Sequence, residues 1–124
     1  MPKYIFFYKG KAVRSSDHEY AYGVTNVEGT TVLSCHATER AAKSARTREI
    51  NEAKQVLGNY ERALKARQAG RTYYREEAGR IRWQQKLRDS DTVPELMERI
   101  ERTSRRIDNL EKRQVVELER RVNR

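Results

Sequence analysis

Residues 92–122 read TVPELMERIERTSRRIDNLEKRQVVELERRV, and the spacing of their apolar positions decides the fold. Thr92 stands where an N-cap belongs, Pro94 falls in the first turn and Glu95 at the third helical position. In that arrangement side chains satisfy the free amides of a helix start. Leu96, Ile100, Ile107 and Leu110 then recur at near-heptad spacing, with Thr103 filling the gap. Val115, Leu118 and Val122 continue the stripe after a phase shift at Gln114, as an 11-residue repeat would give. The pattern predicts a helix over residues 93–124.

A second helical pattern precedes it. Thr38 is placed to cap a helix whose first turn holds Glu39, favourable at the positive end of the dipole. Ile50, Ala53, Leu57, Tyr60 and Leu64 follow steps of three and four, and Ala42 and Ala45 allow close approach to a sheet. Tyr73, Tyr74, Ala78, Ile81, Trp83 and Leu87 extend the apolar surface to a turn at residues 89–92. The expected helix therefore covers residues 38–88. Gly70 is its candidate break, since glycine inside a helix costs about 1 kcal/mol relative to alanine. Folded back at the turn, the two helices form an antiparallel, coiled-coil-like hairpin in which Trp83 faces Met97 and Tyr74 faces Ile107.

Residues 1–37 read as a small antiparallel sheet. Residues 3–9 are an aromatic and β-branched run ending at Gly10, apolar on both faces, and such a strand needs cover on each side. Residues 10–19 are polar and turn-rich, with a short strand open at Ala12 to Arg14. Strands over residues 20–27 and 30–36 come next, joined by a two-residue turn at Glu28-Gly29. The expected fold class is α+β: a three-stranded antiparallel sheet, then the helical hairpin, in one compact unit.

The chain of 124 residues is 36% apolar and 36% charged, a profile of long solvated helices, and its formal net charge is +9. Residues 37–88 hold 14 basic against six acidic side chains, so the excess sits on the first expected helix. A balance of this kind favours an anionic partner. Arg40, Lys43, Lys54, Arg62 and Lys65 fall on one side of that helix and would track phosphates. Tyr4, Tyr8, Tyr20 and Tyr22 would stack unpaired bases if their sheet face is open, or form core if it is covered. On the second helix, arginines alternate with glutamates at spacings that make surface ion pairs. Its remaining apolar seam, Leu110, Val115, Leu118 and Val122, is a candidate interface for a homodimer or a partner helix.

No P-loop, dinucleotide fingerprint or nucleophile elbow occurs, and the chain is expected to be no enzyme. Cys35, His36, His18, Asp17 and Glu19 are metal-capable but lack paired short spacings, so neither a metal nor another cofactor is expected. The single cysteine and the absence of an apolar run near ~18 residues predict a soluble cytoplasmic protein without a membrane partner.

Three strands followed by a helix opening Thr38-Glu39-Arg40-Ala41-Ala42 resemble AP2-type and integrase arm-binding domains, which implies a sheet lying in a DNA groove. Those sheets present arginine and tryptophan outward, whereas the strands here present tyrosine, threonine and valine, with Arg14 the one sheet-region arginine. The compact, arginine-rich, single-cysteine chain also resembles small accessory proteins of bacteriophages, including those that disarm host defence. Three functions stay open at this point. The first is binding of nucleic acid or another polyanion. The second is a phage-encoded inhibitor or adaptor docking on a host or defence protein, in the host cytoplasm, by the helical hairpin or a sheet edge. The third is sequestration of a phosphorylated nucleotide.

Overall fold

The computed structural model describes residues 1–69, 72–78 and 80–123. Among them the chain order is β1 (Tyr4–Tyr8), β2 (Lys11–Ser16), β3 (Tyr22–Thr25), β4 (Val32–His36), α1 (Glu39–Ala69), β5 (Tyr73–Glu77), β6 (Arg80–Gln85), α2 (Val93–Lys112), β7 (Val115–Glu117) and β8 (Glu119–Val122). The fold class is α+β, as expected. The strands form two three-stranded antiparallel sheets, β2-β1-β8 and β4-β3-β7, and a separate β5-β6 hairpin. Two compact units result, one of Met1–Arg48 with Leu110–Arg124, the other of Glu49–Asn109. Among the described residues no helix is long and apolar enough to cross a membrane.

In the first unit, β1 turns into β2 through Lys9 and Gly10, both at positive φ (49° and 78°). That is the backbone a two-residue hairpin turn requires, because its twist matches the flanking strands. Strand β2 thus extends the short strand left open at Ala12 to Arg14 and takes up most of the loop expected over residues 10–19, and β1 pairs with β2, not with β3. β3 and β4 are joined by a longer loop than the expected two-residue turn. Asn26 Oδ1 accepts from the amides of Thr30 (2.9 Å) and Thr31 (3.1 Å), and buried Gly29 takes a φ of 71°.

The larger correction concerns the chain end. The second helix stops at Lys112, and the chain then runs into two strands: β7 pairs with β3 and β8 with β1. The phase break at Gln114 is where the helix ends. β-branched Val115 and Val116 lose side-chain freedom in a helix but suit a pleated surface, and β1, apolar on both faces, offers a vacant edge. The segment is tied to both sheets. The Thr25 amide donates to the Gln114 carbonyl (2.8 Å), the Leu118 amide to Ala21 (2.9 Å) and the Asn123 amide to Lys3 (2.8 Å). Thr25, fully buried, accepts from the Gln114 amide through Oγ1 (3.3 Å).

The expected interface seam is dispersed as a result. Leu110 is 1% exposed, in the core. Val115 pairs with Val24, and half-buried Leu118 packs on Gly23, where an added Cβ would lie 3.3 Å from its Cδ2. Of the four, Val122 alone is exposed. The core of this unit holds Phe6, Tyr4, Val24, Ala42 and Leu110. Thr38 caps α1 as expected, its Oγ1 accepting from the Ala41 amide at 3.0 Å. Arg46 donates to the carbonyl of Arg113 (2.8 Å) just past the end of α2, where a cation complements the dipole.

In the second unit, α1 ends at Ala69, so the expected helix over 38–88 is corrected to a helix followed by a β-hairpin. Gly70, the expected break, lies outside the described residues. Tyr73-Tyr74 and the alternation Arg80-Ile81-Arg82-Trp83 carry the period of two that marks strands. Side chains of α1 hold β5 by its backbone. Asn59 accepts from the Glu76 amide (2.9 Å) and donates to the Glu76 carbonyl (3.0 Å), while Arg62 donates to the Tyr74 carbonyl (2.9 Å). Of the residues expected to face each other, Tyr74 lies on β5 and is exposed (55%), Met97 is exposed (56%), and the side chain of Trp83 lies outside the described residues. Among the described residues, Ala53, Ala63, Ala66, Leu96 and Ile107 are the buried apolar residues of this unit.

Before α2, residues 88–91 form a braced turn. Arg67 donates to the carbonyls of Asp91 (2.7 Å) and Arg88, and Asp91 accepts from the Arg88 amide (3.0 Å) and from Arg99 (3.0 Å). Thr92 caps α2, accepting from the Glu95 amide at 3.4 Å.

Candidate nucleic-acid interface

β1 supplies the aromatic residues around which the β2-β1-β8 sheet is built, and its two neighbours supply the charge. In an antiparallel sheet directly paired residues share a face. Ile5 lies opposite Ser15 and Arg121, and Phe7 opposite Ala12 and Glu119, which puts these six on one face. Tyr4 and Phe6, with Ser16, Arg14, Val122 and Arg120 opposite, occupy the other.

On the first face Ile5 and Phe7 are half-buried beside exposed Ala12 and Ser15. The Arg121 guanidinium lies over the Phe7 ring, 4.4 Å from its centroid. The second face is core at its centre, with Phe6 edge-on to Tyr20 at 5.4 Å, and basic at its rim. Arg14 lies over Tyr20 (5.0 Å) and Arg120 over Tyr4 (5.1 Å). Lys3 and Lys9 sit over Tyr4 (5.3 Å) and Tyr8 (5.4 Å). Each such contact contributes about 0.5–1 kcal/mol at an exposed site and fixes where the cation stands.

Six exposed cations, Lys3, Lys9, Lys11, Arg14, Arg120 and Arg121, therefore ring one aromatic strand. Two of them are answered by carboxylates, Arg120 by Glu19 (3.3 Å) and Arg121 by Glu119 (3.3 Å). Among the described residues Lys9, Lys11 and Arg14 form no ion pair with a carboxylate. Glu19 also accepts from the Tyr4 hydroxyl (2.8 Å), and that bond, followed by the Arg120 charge, holds its carboxyl below the usual range.

The tyrosines expected to stack divide between core and surface. Tyr4 is 6% exposed, so its ring is core. Tyr8 is half-buried and donates to the Gly29 carbonyl (2.8 Å), and Tyr20 is half-buried between Phe6 and Arg14. Tyr22 belongs to the other sheet, paired with His36 and Glu117. The basic residues of β8 escape a sequence reading, because residues 115–122 fit a helical stripe, and Phe7 is read there only as part of an apolar strand. The alternation of charge and Val122 around Arg120-Arg121 is the one signal that marks a strand.

The cations expected along α1 also divide. Arg40 and Lys43 belong to the first unit, Lys43 paired with Glu39 at 2.8 Å. Lys54, Arg62 and Lys65 belong to the second; Arg62 is spent on β5 and on Glu76 (3.8 Å), while Lys54 and Lys65 are exposed.

The metal-capable residues do not converge: among the described residues no group of three or more His, Cys, Asp or Glu could hold an ion. His36 bonds the Ser34 hydroxyl (2.8 Å), and burial lowers its proton affinity. Burial likewise pushes the Cys35 thiol up, against the opposing charge and hydrogen bond of Arg14. A protonated, half-buried thiol is a poor nucleophile. Compared with known proteins, the chain matches no protein-family model, no curated protein and no solved structure.

Proposed function

We propose that this chain is a non-catalytic nucleic-acid-binding protein whose β2-β1-β8 sheet engages the phosphate backbone. The observation that carries the proposal is the return of β8 to the edge of β1. It adds Arg120 and Arg121 to a sheet that otherwise holds Arg14 alone, so that exposed cations stand on both faces of β1: Arg121 beside half-buried Phe7 on one, and Lys11, Arg14 and Arg120 beside Tyr4, Phe6 and Tyr8 on the other. Guanidinium and ammonium groups held over aromatic rings lose little freedom on meeting a phosphate, and aromatic edges between them suit sugar and base.

Lys9, Lys11 and Arg14 are the residues expected to carry most of the affinity, because no carboxylate among the described residues must be displaced from them. The test is fluorescence anisotropy of labelled single- and double-stranded DNA and RNA with nuclease-treated protein. Reversing Lys11 and Arg14 to Glu is expected to weaken binding at least about tenfold at physiological salt. Equal binding by the reversed and natural chains refutes the assignment to this sheet.

A further inference from the structure

The second unit holds a different cationic feature. Between α1, β5, the braced turn and α2 lies a cavity of about 170 Å³, lined among others by Tyr60, Tyr73, Arg75, Arg88, Asp91 and Arg99. Tyr73 also lines an open, mostly apolar groove of about 290 Å³, together with Tyr74, and Arg62 and Lys65 are its cations. One tyrosine thus walls both a basic cavity and an aromatic groove.

Three guanidiniums lining one cavity repel each other unless anions answer them. Asp91 is a fixed part of the wall. It is 7% exposed, one oxygen is taken by Arg99 and the other by the Arg88 amide, and it anchors Arg99. Arg99 also meets Glu95 (3.3 Å) and lies over Tyr60 (5.9 Å). Arg75 meets Glu77 at 3.4 Å. Both glutamate pairs are solvent-exposed, with side chains between 30% and 46% accessible, and such pairs yield readily to a better acceptor. Arg88 is exposed and forms no ion pair among the described residues, and only its backbone is used by the turn. Arg99 is held by Asp91, Arg75 is answered by an exposed glutamate, and Arg88 alone of the three forms no ion pair among the described residues, in a space that admits a phosphate group. Arginine is the residue suited to a phosphate, which accepts two parallel N–H bonds from one guanidinium.

We infer that this cavity binds the phosphate of a nucleoside phosphate, with the base lying against Tyr73 in the adjoining groove. The ligand is either a free mononucleotide or the phosphorylated end of a nucleic acid. The residues of this site belong wholly to the second unit and none to the β2-β1-β8 sheet, so variants at the two sites are read separately.

The test is isothermal titration calorimetry of the full chain with AMP, adenosine, inorganic phosphate and a 5′-phosphorylated dinucleotide. AMP is expected to bind about tenfold or more tightly than adenosine or phosphate alone, since it alone fills both cavity and groove. Arg88→Ala, which removes no bond from the braced turn, is expected to weaken AMP by about tenfold, with Arg88→Lys recovering part of that loss. Tyr73→Ala is expected to erase the advantage of AMP over phosphate. Tighter binding of the dinucleotide than of AMP assigns the site to nucleic-acid ends, and equal or weaker binding assigns it to free nucleotide. Absence of heat for both AMP and the dinucleotide at millimolar concentration overturns the inference. So does an Arg88→Ala chain, folded by circular dichroism, that binds AMP as the natural chain does.

Discussion

Replacing Asp91 by asparagine keeps the shape of the side chain and removes its charge. Asp91 is buried, with its side chain 10% exposed, and it ties the Arg88 amide to Arg99. Burial alone would raise its pKa. The hydrogen bond from the Arg88 amide, then the bond and charge of Arg99, outweigh that penalty, and the carboxyl ends below its usual value. Hydrogen bonds to a charged group contribute roughly 1.5–3 kcal/mol, and asparagine retains one acceptor for the Arg88 amide. Arg99 is 30% exposed and still meets Glu95, so solvent screening limits the loss from the broken ion pair. The expected destabilisation at neutral pH is about 2 kcal/mol, or roughly 5–10 °C in Tm for a chain of this size. Because the folded pKa lies below the unfolded one, the stabilisation is fully present above the unfolded value of about 3.9 and is lost as pH falls through the folded value. Urea melts of both chains from pH 7 to pH 2.5 should therefore show a constant gap at pH 5–7 that closes below about pH 4. An Asp91→Asn chain as stable as the natural one at pH 7, or a gap that does not narrow as the pH falls below about 4, would refute this account of the turn.

Gly29→Ala and Gly10→Ala should each cost about 1 kcal/mol in urea melts, since both take a positive φ (71° and 78°) that disfavours a Cβ, and the Gln114 side-chain end 2.8 Å from the Gly29 position is exposed and can move aside. A chain ending at Arg113 lacks β7 and β8 and exposes an edge of both β1 and β3. Its amides in β1 should exchange with solvent orders of magnitude faster than in the full chain.

The helix starts are legible in the sequence because capping is local: Thr38 and Thr92 each announce themselves within four residues. The strands at the chain end are not. Val115, Leu118 and Val122 fit a helical stripe, and the vacant edges of β3 and β1, some ninety residues or more away in sequence, make strands of them. The same long-range pairing hides the basic sheet, because Arg120 and Arg121 enter it only through β8. The β1-β2 turn escapes for a local reason, since Lys9 at positive φ is a choice that sequence preference disfavours. Residues 73–85 read as helix because an apolar count there outweighs their alternation.

The salt dependence of nucleic-acid affinity tests the sheet as a phosphate-binding surface. With Lys9, Lys11 and Arg14 each neutralising one phosphate, log Kd should rise with log salt at a slope of about 2 to 3, and replacing Lys11 and Arg14 with alanine should lower that slope by about 2. A slope that the two replacements leave unchanged, or binding that vanishes at physiological salt, would mean that the cations ringing β1 serve its solubility and not a nucleic acid.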